Sequence, residues 1–323
     1  MQYSGLSTHI TLRLKKGRSC AIFSSVIEMK KKLRGTIALL SATVIWGSAF
    51  IAQSVGMDFI GPFTFQTMRS VLAVPFLIIV VFLIERDPKE TARKWSEPKL
   101  WKAGLPCGIA LFIAAGLQQM GIVHTSAGKA GFITAMYIVL VPILGVFLRR
   151  KPPITVWFSV GLAVMGLYLL SCVGVSKVNI GDLYLLGSAL GFAVQITLVD
   201  TMGNNLDGLR LNCIQSLFCG IFSALVMFAT EEPVLGSILS CWIPIVYAGI
   251  FSLGIAFSLQ IIGQKHLDPT PASLIMSLES VFAVLFGWLL LNERLSAAEL
   301  CGCILVFCAV ILSQIPVKNL HKT

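Results

Sequence analysis

The chain of 323 residues is 56% hydrophobic and 12% charged, with a mean hydropathy of +0.86, against about 45–50% apolar and about 25% charged for a soluble domain. That balance excludes a soluble globular fold. A net charge of +10 alone would suit a nucleic-acid binder, but the basic residues fall where a membrane-topology signal puts them, and no nucleic-acid partner is expected.

Residues 1–34 form a basic segment expected on the cytoplasmic side. Met29, followed by Lys30, Lys31, Lys32 and Leu33, looks like a translation start leading directly into an apolar run. Residues 1–28 are therefore read either as an upstream misread start or as a cytoplasmic extension. A cleaved signal peptide fits poorly, because residues 21–27 are few, include two serines and lead into a basic cluster.

Ten apolar stretches follow, near residues 35–54, 63–84, 101–122, 129–148, 154–174, 181–200, 210–229, 241–262, 271–291 and 297–315. Each approaches the roughly 20 residues a helix needs to cross a hydrocarbon core about 30 Å thick. Short connections leave no room for a separate soluble domain, and a lipid bilayer is the expected surrounding.

The first stretch carries Trp46, Gly47, Ser48, Ala49 and Phe50 about midway, and the second carries Arg69. A charge at that depth faces a bundle interior or a watery cavity. Two readings stay open for Arg69: it ties helix ends or carbonyls together, or it serves a substrate or counter-charge. The third stretch holds Gln118 and Gln119, the fourth Thr134, Tyr137 and a bend-prone Pro142, and the sixth Gln195 and Thr197. Ser252, Phe257, Ser258 and Gln260 fall in the eighth.

The ninth stretch holds Glu279, with Ser273, Ser277 and Ser280 on one helical face. Such serines either line a cavity or act as polar glue between helices. A carboxyl group there either switches between protonated and ionised states, which would couple a proton to transport, or stays locked in hydrogen bonds. Arg69 lies seven residues after Pro62, and Glu279 eight after Pro271, roughly 10 and about 12 Å deep from opposite faces. In a core about 30 Å thick the axial gap is about 8 Å, so direct pairing is one expectation.

The basic residues fix a topology. With the amino terminus inside, Lys30, Lys31, Lys32, Arg34, Arg86, Lys89, Arg93, Lys94, Lys99, Lys102, Arg149, Arg150, Lys151, Arg210, Lys265, Lys318 and Lys322 are cytoplasmic. Only Lys129, Lys177 and Arg294 are external. The bias selects ten crossings with both termini in the cytoplasm.

Residues 117–151 and 259–293 are weak copies at a gapless offset of 142, pairing Leu117 with Leu259, Gln118 with Gln260, Gly121 with Gly263, His124 with His266, Ala130 with Ala272, Ile133 with Ile275, Gly145 with Gly287 and Leu148 with Leu290. Each copy sits in a half with five apolar stretches. Because five crossings enter on one side and leave on the other, the second unit is expected to run upside down, a recurring transporter architecture.

Other chemistries find little support. Gly128-Lys129 lacks the first glycine and the Ser or Thr of a phosphate loop, whose places are taken by Val123 and Ala130. His124 and His266 fall near helix ends and read as interfacial residues, with no strand-turn context to position a nucleophile. The nine cysteines lack ligand spacing and read as packing residues, so neither a metal nor a cofactor is expected. An intramembrane enzyme would need a convergent catalytic set. A lipid-handling protein is grouped with that class, and a purely structural or sensory membrane protein is a third, with no solute flux and no dependence on Arg69 or Glu279.

The chain resembles the EamA family of the drug/metabolite transporter superfamily. The likeness rests on Ile45-Trp46-Gly47-Ser48-Ala49-Phe50, on the stretch from Thr125-Ser126-Ala127-Gly128-Lys129 through Val141-Pro142-Ile143-Leu144-Gly145 to Arg149-Arg150-Lys151, and on Gly166-Leu167-Tyr168. Gly181-Asp182-Leu183, Pro271-Ala272-Ser273, Glu279, Gly287-Trp288 and Glu293 carry it in the second half. It implies an all-α integral membrane fold of ten helices, with repeats over residues 35–174 and 180–315 and a tail over 316–323. It also implies a secondary transporter of a small metabolite, an amino acid or related compound, working by alternating access in a bacterial inner membrane, with export the expected direction.

By the same resemblance the fourth and ninth helices line a cavity, which raises Tyr137 and Glu279. Ser280 stands where the family commonly has a proline, so the helix break expected there is in doubt. Asp182 and Glu293 read as capping or packing residues. Trp46, Tyr137 and Phe257 are the expected apolar walls, Ser48, Gln118, Gln195 and Ser277 the hydrogen-bonding groups, and Arg69 with Glu279 the charges that act on substrate or protons.

Overall fold

The computed structural model describes residues 4–85, 87–125, 127–150, 152–171, 179–291 and 296–314, with side chains from residue 27 onward except at 171, 290 and 291. Residues 1–3, Arg86, Ser126, Lys151, Lys177, Glu293, Arg294 and the tail lie outside these. All described elements are helical. Among the described residues nine helices are long and apolar enough to cross a membrane, and a shorter apolar one spans Ile154–Leu170.

In chain order they are α1 (Ile27–Gly56), α2 (Pro62–Ile84), α3 (Pro98–Ile122), α4 (Ala127–Phe147), α5 (Ile154–Ser171), α6 (Ile180–Met202), α7 (Gly208–Thr230), α8 (Trp242–Gln264), α9 (Pro269–Leu289) and α10 (Ala297–Gln314). Their bounds repeat. An offset of 146 carries α2 onto α7 and the end of α1 onto the end of α6, 142 carries α4 onto α9, and 143 carries α5 onto α10. The α2–α3 connection holds a short helix, Pro88–Trp95, and the α7–α8 connection holds another, Leu235–Ser240.

Local chemistry sets the helix starts. Pro62, Pro98 and Pro269 occupy first-turn positions, where a missing N–H leaves no bond unmade. Asn179 and Asp182 form a reciprocal capping box at the start of α6. Asp182 also pairs with Lys129 at 2.7 Å, tying α6 to the start of α4.

A related clasp appears at both ends of the α2–α7 pair. Glu231, just past α7, accepts from the backbone N–H groups of Phe63 and Thr64 at 2.8 Å and from the Thr64 hydroxyl at 2.7 Å. Glu85, just past α2, accepts from Arg210 in the first turn of α7, and from Thr91 and Lys94 at 2.7 Å each. The offset of 146 turns Glu85 into Glu231 and Thr64 into Arg210. The end of each helix therefore meets the start of the other, and the two run antiparallel.

Arg210 first, then Lys94 and Thr91, hold the Glu85 carboxyl at about 2 against an ordinary 4.5. A carboxylate lowered in the folded state stabilises it above the unfolded pKa, and this contribution fades as pH falls from about 4.5 to about 2. Glu85→Gln is therefore expected to melt at a lower temperature than wild type at neutral pH, with the difference shrinking through that acid window. Thermal melts in detergent across pH check it; a constant difference would assign the loss to packing.

Glycines let the helices touch. A Cβ on Gly35 of α1 would fall 2.9 Å from the Gly263 carbonyl oxygen of α8, and one on Gly181 of α6 would fall 2.9 Å from the Gly121 oxygen of α3. His266 and His124 stand beside these crossings. The repeated Gly121/Gly263 and His124/His266 pairs thus mark two equivalent helix crossings. A third, between α5 and α10, brings Gly166 and Gly302 together, where a Cβ on Gly302 would meet the Gly166 oxygen at 2.6 Å.

Three crossings depart from uniform α-helix. α4 is interrupted between Thr134 and Tyr137, and α9 between Met276 and Leu278. The interruption in α4 tightens into bonds three residues apart, Met136 N–H to Ile133 and Ile138 N–H to Ala135. Pro142 lies within the following segment, not at the break. In α9 a break exists without proline, three residues before Ser280, and Ser280 instead donates to the Gly131 carbonyl of α4 at 2.9 Å.

The third departure is a π-helical stretch, Tyr247–Ala256, within α8. Asn212 of α7 donates to the Leu253 and Gly254 carbonyls at 2.8 and 3.0 Å and to the Ser258 hydroxyl at 2.9 Å. A buried amide thus takes up carbonyls where the π stretch returns to α-helix.

Candidate substrate cavity

Where the broken helices meet α1, α2, α3, α6 and α8, a narrow cavity of about 40 Å³ lies inside the bundle. It is lined by Trp46, Phe50, Gln53, Arg69, Gln118, Tyr137, Phe192, Ile196, Ser252, Phe257, Gln260, Met276 and Glu279. The helix offsets relate its walls. Trp46 corresponds to Phe192 and Phe50 to Ile196 at 146, while Gln118 corresponds to Gln260 and Tyr137 to Glu279 at 142.

The last pair touches. Tyr137 donates its hydroxyl hydrogen to Glu279 Oε1 at 3.1 Å. Two residues related by the repeat can meet only near the axis that relates the halves, so this bond marks the centre of the arrangement. Each sits in the first turn after its helix break, where backbone N–H groups point toward the cavity end of the segment.

Trp46 and Phe257 form an edge-to-face pair, with centroids 5.0 Å apart, on one wall. Arg69 is only 2% exposed. Among the described residues it makes no ion pair, and Glu279 bonds Tyr137 instead, so the expected direct pairing of Arg69 with Glu279 is not formed. Arg69 Nε and Trp46 Nε1 are buried donors without a hydrogen-bond partner, and Gln53 Oε1 and Gln260 Oε1 are buried acceptors without one. Leaving such a group unmet costs roughly 1–3 kcal/mol. All four belong to residues that line the cavity.

Of the residues singled out from sequence, Trp46, Arg69, Gln118, Tyr137, Phe257 and Glu279 line this cavity. Ser48, Gln195 and Ser277 do not. Ser48 meets the Tyr247 hydroxyl at 2.5 Å in a separate, mainly apolar groove between α1, α8 and α9. Gln195 lies behind the wall, donating to Gln215 and accepting from Gln260. Ser277 sits at the break in α9, donating to the Leu274 carbonyl at 2.8 Å. Phe50, Gln53, Phe192, Ile196, Ser252, Gln260 and Met276 complete the lining. The 146 offset, once known, finds Phe192 and Ile196 from Trp46 and Phe50.

The EamA-like transporter family matches the chain twice, over residues 33–172 and 179–314. An uncharacterized transporter of Archaeoglobus fulgidus is 32% identical over 90% of this chain and 89% of its own length. The transporter YcbK of Bacillus subtilis is 27% identical over 85% of this chain and 91% of its own. A solved crystal structure with 18% sequence identity has the same fold, with a TM-score of 0.72 over 87% of this chain and 96% of that one. A mainly apolar cavity holding a few polar side chains, centred on two repeat-related residues inside a bundle of apolar helices, agrees with the double match: the chain belongs to the EamA-like transporter family, within the drug/metabolite transporter superfamily.

Proposed function

We propose that the protein is a secondary transporter, working as an exporter, of a small metabolite carrying both an acidic and an amino group, such as an amino acid. The four unpartnered buried groups of the cavity carry this reading. Arg69 and Trp46 face the acidic end of the solute, and the Gln53 and Gln260 oxygens face its donor end. A volume of about 40 Å³ holds a few waters at most, so a solute enters only when the bundle opens on one side. Alternating access supplies that opening, with two inverted five-helix repeats, residues 35–174 and 180–315, rocking about the Tyr137–Glu279 centre. The basic bias supports an orientation with both termini in the cytoplasm, and the family resemblance supports a bacterial inner membrane. Proton movement through Glu279 supplies the driving force.

The test is a thermal-shift and counterflow screen of the reconstituted protein against amino acids, polyamines, nucleosides and sugars at two pH values. An amino acid that both raises the melting temperature and exchanges is the expected result, since a ligand preferring the folded state stabilises it by mass action. Uniform silence from a folded, inserted protein, or exchange of polyamines alone, would overturn the assignment.

A further inference from the structure

Behind the cavity wall, side-chain amides run in one direction. Asn212 spends its NH₂ on the Leu253 and Gly254 carbonyls, and its Oδ1 accepts from Gln215 Nε2 at 2.9 Å. Gln215 Oε1 accepts from Gln195 Nε2 at 3.2 Å, and Gln195 Oε1 accepts from Gln260 Nε2 at 3.0 Å. From the other side Gln264 donates to the Ile196 carbonyl at 3.1 Å, which leaves its Oε1 to accept from Gln260 Nε2, also at 3.0 Å.

Both branches end on backbone carbonyls, and a carbonyl can only accept. Turning any amide in the chain would set oxygen against oxygen, so the orientation of Gln260 is fixed by its neighbours. Its NH₂ is fully committed. Its Oε1 is buried and without a partner, and the residue lines the cavity.

We propose that Gln260 is a specificity-determining residue that demands a hydrogen-bond donor on the solute, with Gln195 and Gln264 as positioning residues that prevent it from turning a donor inward. The proposal rests on the transport reading and sharpens it. A solute offering only acceptors at this wall leaves a buried oxygen unmet, which a site built for a hydrogen bond rejects strongly. The first half has no equivalent device. Residue 49, the offset counterpart of Gln195, is alanine, and that of Gln264 is Ile122.

The experiment is counterflow in proteoliposomes with matched α-amino, α-hydroxy and α-oxo acids bearing methyl, isobutyl and benzyl side chains. All keep the carboxylate, and only the oxo acids lack a donor at the adjacent carbon. The wild-type protein is expected to exchange amino and hydroxy acids at least about tenfold faster than the oxo acids. Gln260→Met should bring the ratio to within about twofold, the loss of roughly one hydrogen bond's discrimination. Gln195→Met, which leaves Gln264 to hold the amide, should give an intermediate ratio, and carries the test if Gln260→Met does not fold.

Equal exchange of all three classes by the wild type would overturn the role of Gln260 and leave transport standing. A uniform fall in the variants with the ratio preserved would assign these residues to structure alone. Wild-type exchange of none of these compounds would overturn the metabolite reading, and the Gln260 assignment with it.

Discussion

Arg69→Met is expected to lower exchange of a carboxylate-bearing solute by about 100-fold, the loss of a charge-assisted contact worth roughly 3 kcal/mol, and at the same time to raise the melting temperature. The two changes have one cause. A buried guanidinium without a carboxylate partner, and with Nε unmet, is a destabilising feature retained for something other than the fold. Replacing it by an apolar side chain of similar length relieves that cost. Arg69→Lys should recover little exchange, because an ammonium point charge does not reproduce the planar fork. Counterflow and thermal melts of the same preparation decide the matter. A fall in both quantities would return Arg69 to packing.

Glu279→Gln is expected to abolish the pH dependence of transport while insertion and fold persist. The amide is nearly isosteric and keeps an oxygen for the Tyr137 hydroxyl, so the bond at the centre of the molecule survives the substitution. What is lost is the capacity to take up and release a proton within the cavity. Uptake driven by a pH gradient should fall at least about tenfold, whereas exchange of solute for solute, which needs no net proton movement, should continue. A pH-sensitive dye trapped in the vesicles measures the first, and counterflow the second. Retained pH dependence would reject proton coupling at this residue.

The ten apolar helices were legible because hydrocarbon imposes a length and a composition that few other environments do. The repeat was legible over residues 117–151 because α3 and α4 share one offset with α8 and α9. It was invisible in α1 and α2 because the connections shift the offset by four residues, which hides the correspondence of Trp46 with Phe192 and of Gly35 with Gly181. Helix facing was the larger difficulty. Trp46 and Ser48 are two residues apart, about 200° around a helix axis, so they cannot share one wall. Ser48 accordingly lines the neighbouring groove while Trp46 lines the cavity. The breaks at residues 135–136 and 277 carry no proline, and nothing within α8 announces its π stretch. The one available signal was in another helix, where Asn212 sits in the apolar interior with an amide that needs partners.

The clasp at the two ends of the α2–α7 pair is built from different materials. Glu85 closes one end through charges, with Arg210 and Lys94, and Glu231 closes the other through backbone N–H groups and a hydroxyl. Under the alternating-access mechanism proposed above, perfect two-fold relatedness would make the two closed forms degenerate in energy. This inequality lifts the degeneracy. Ionic strength screens the ion pairs of one end more than the carboxylate-to-N–H contacts of the other, so under that mechanism the solution on one side of the membrane can tune the balance between the two closed forms.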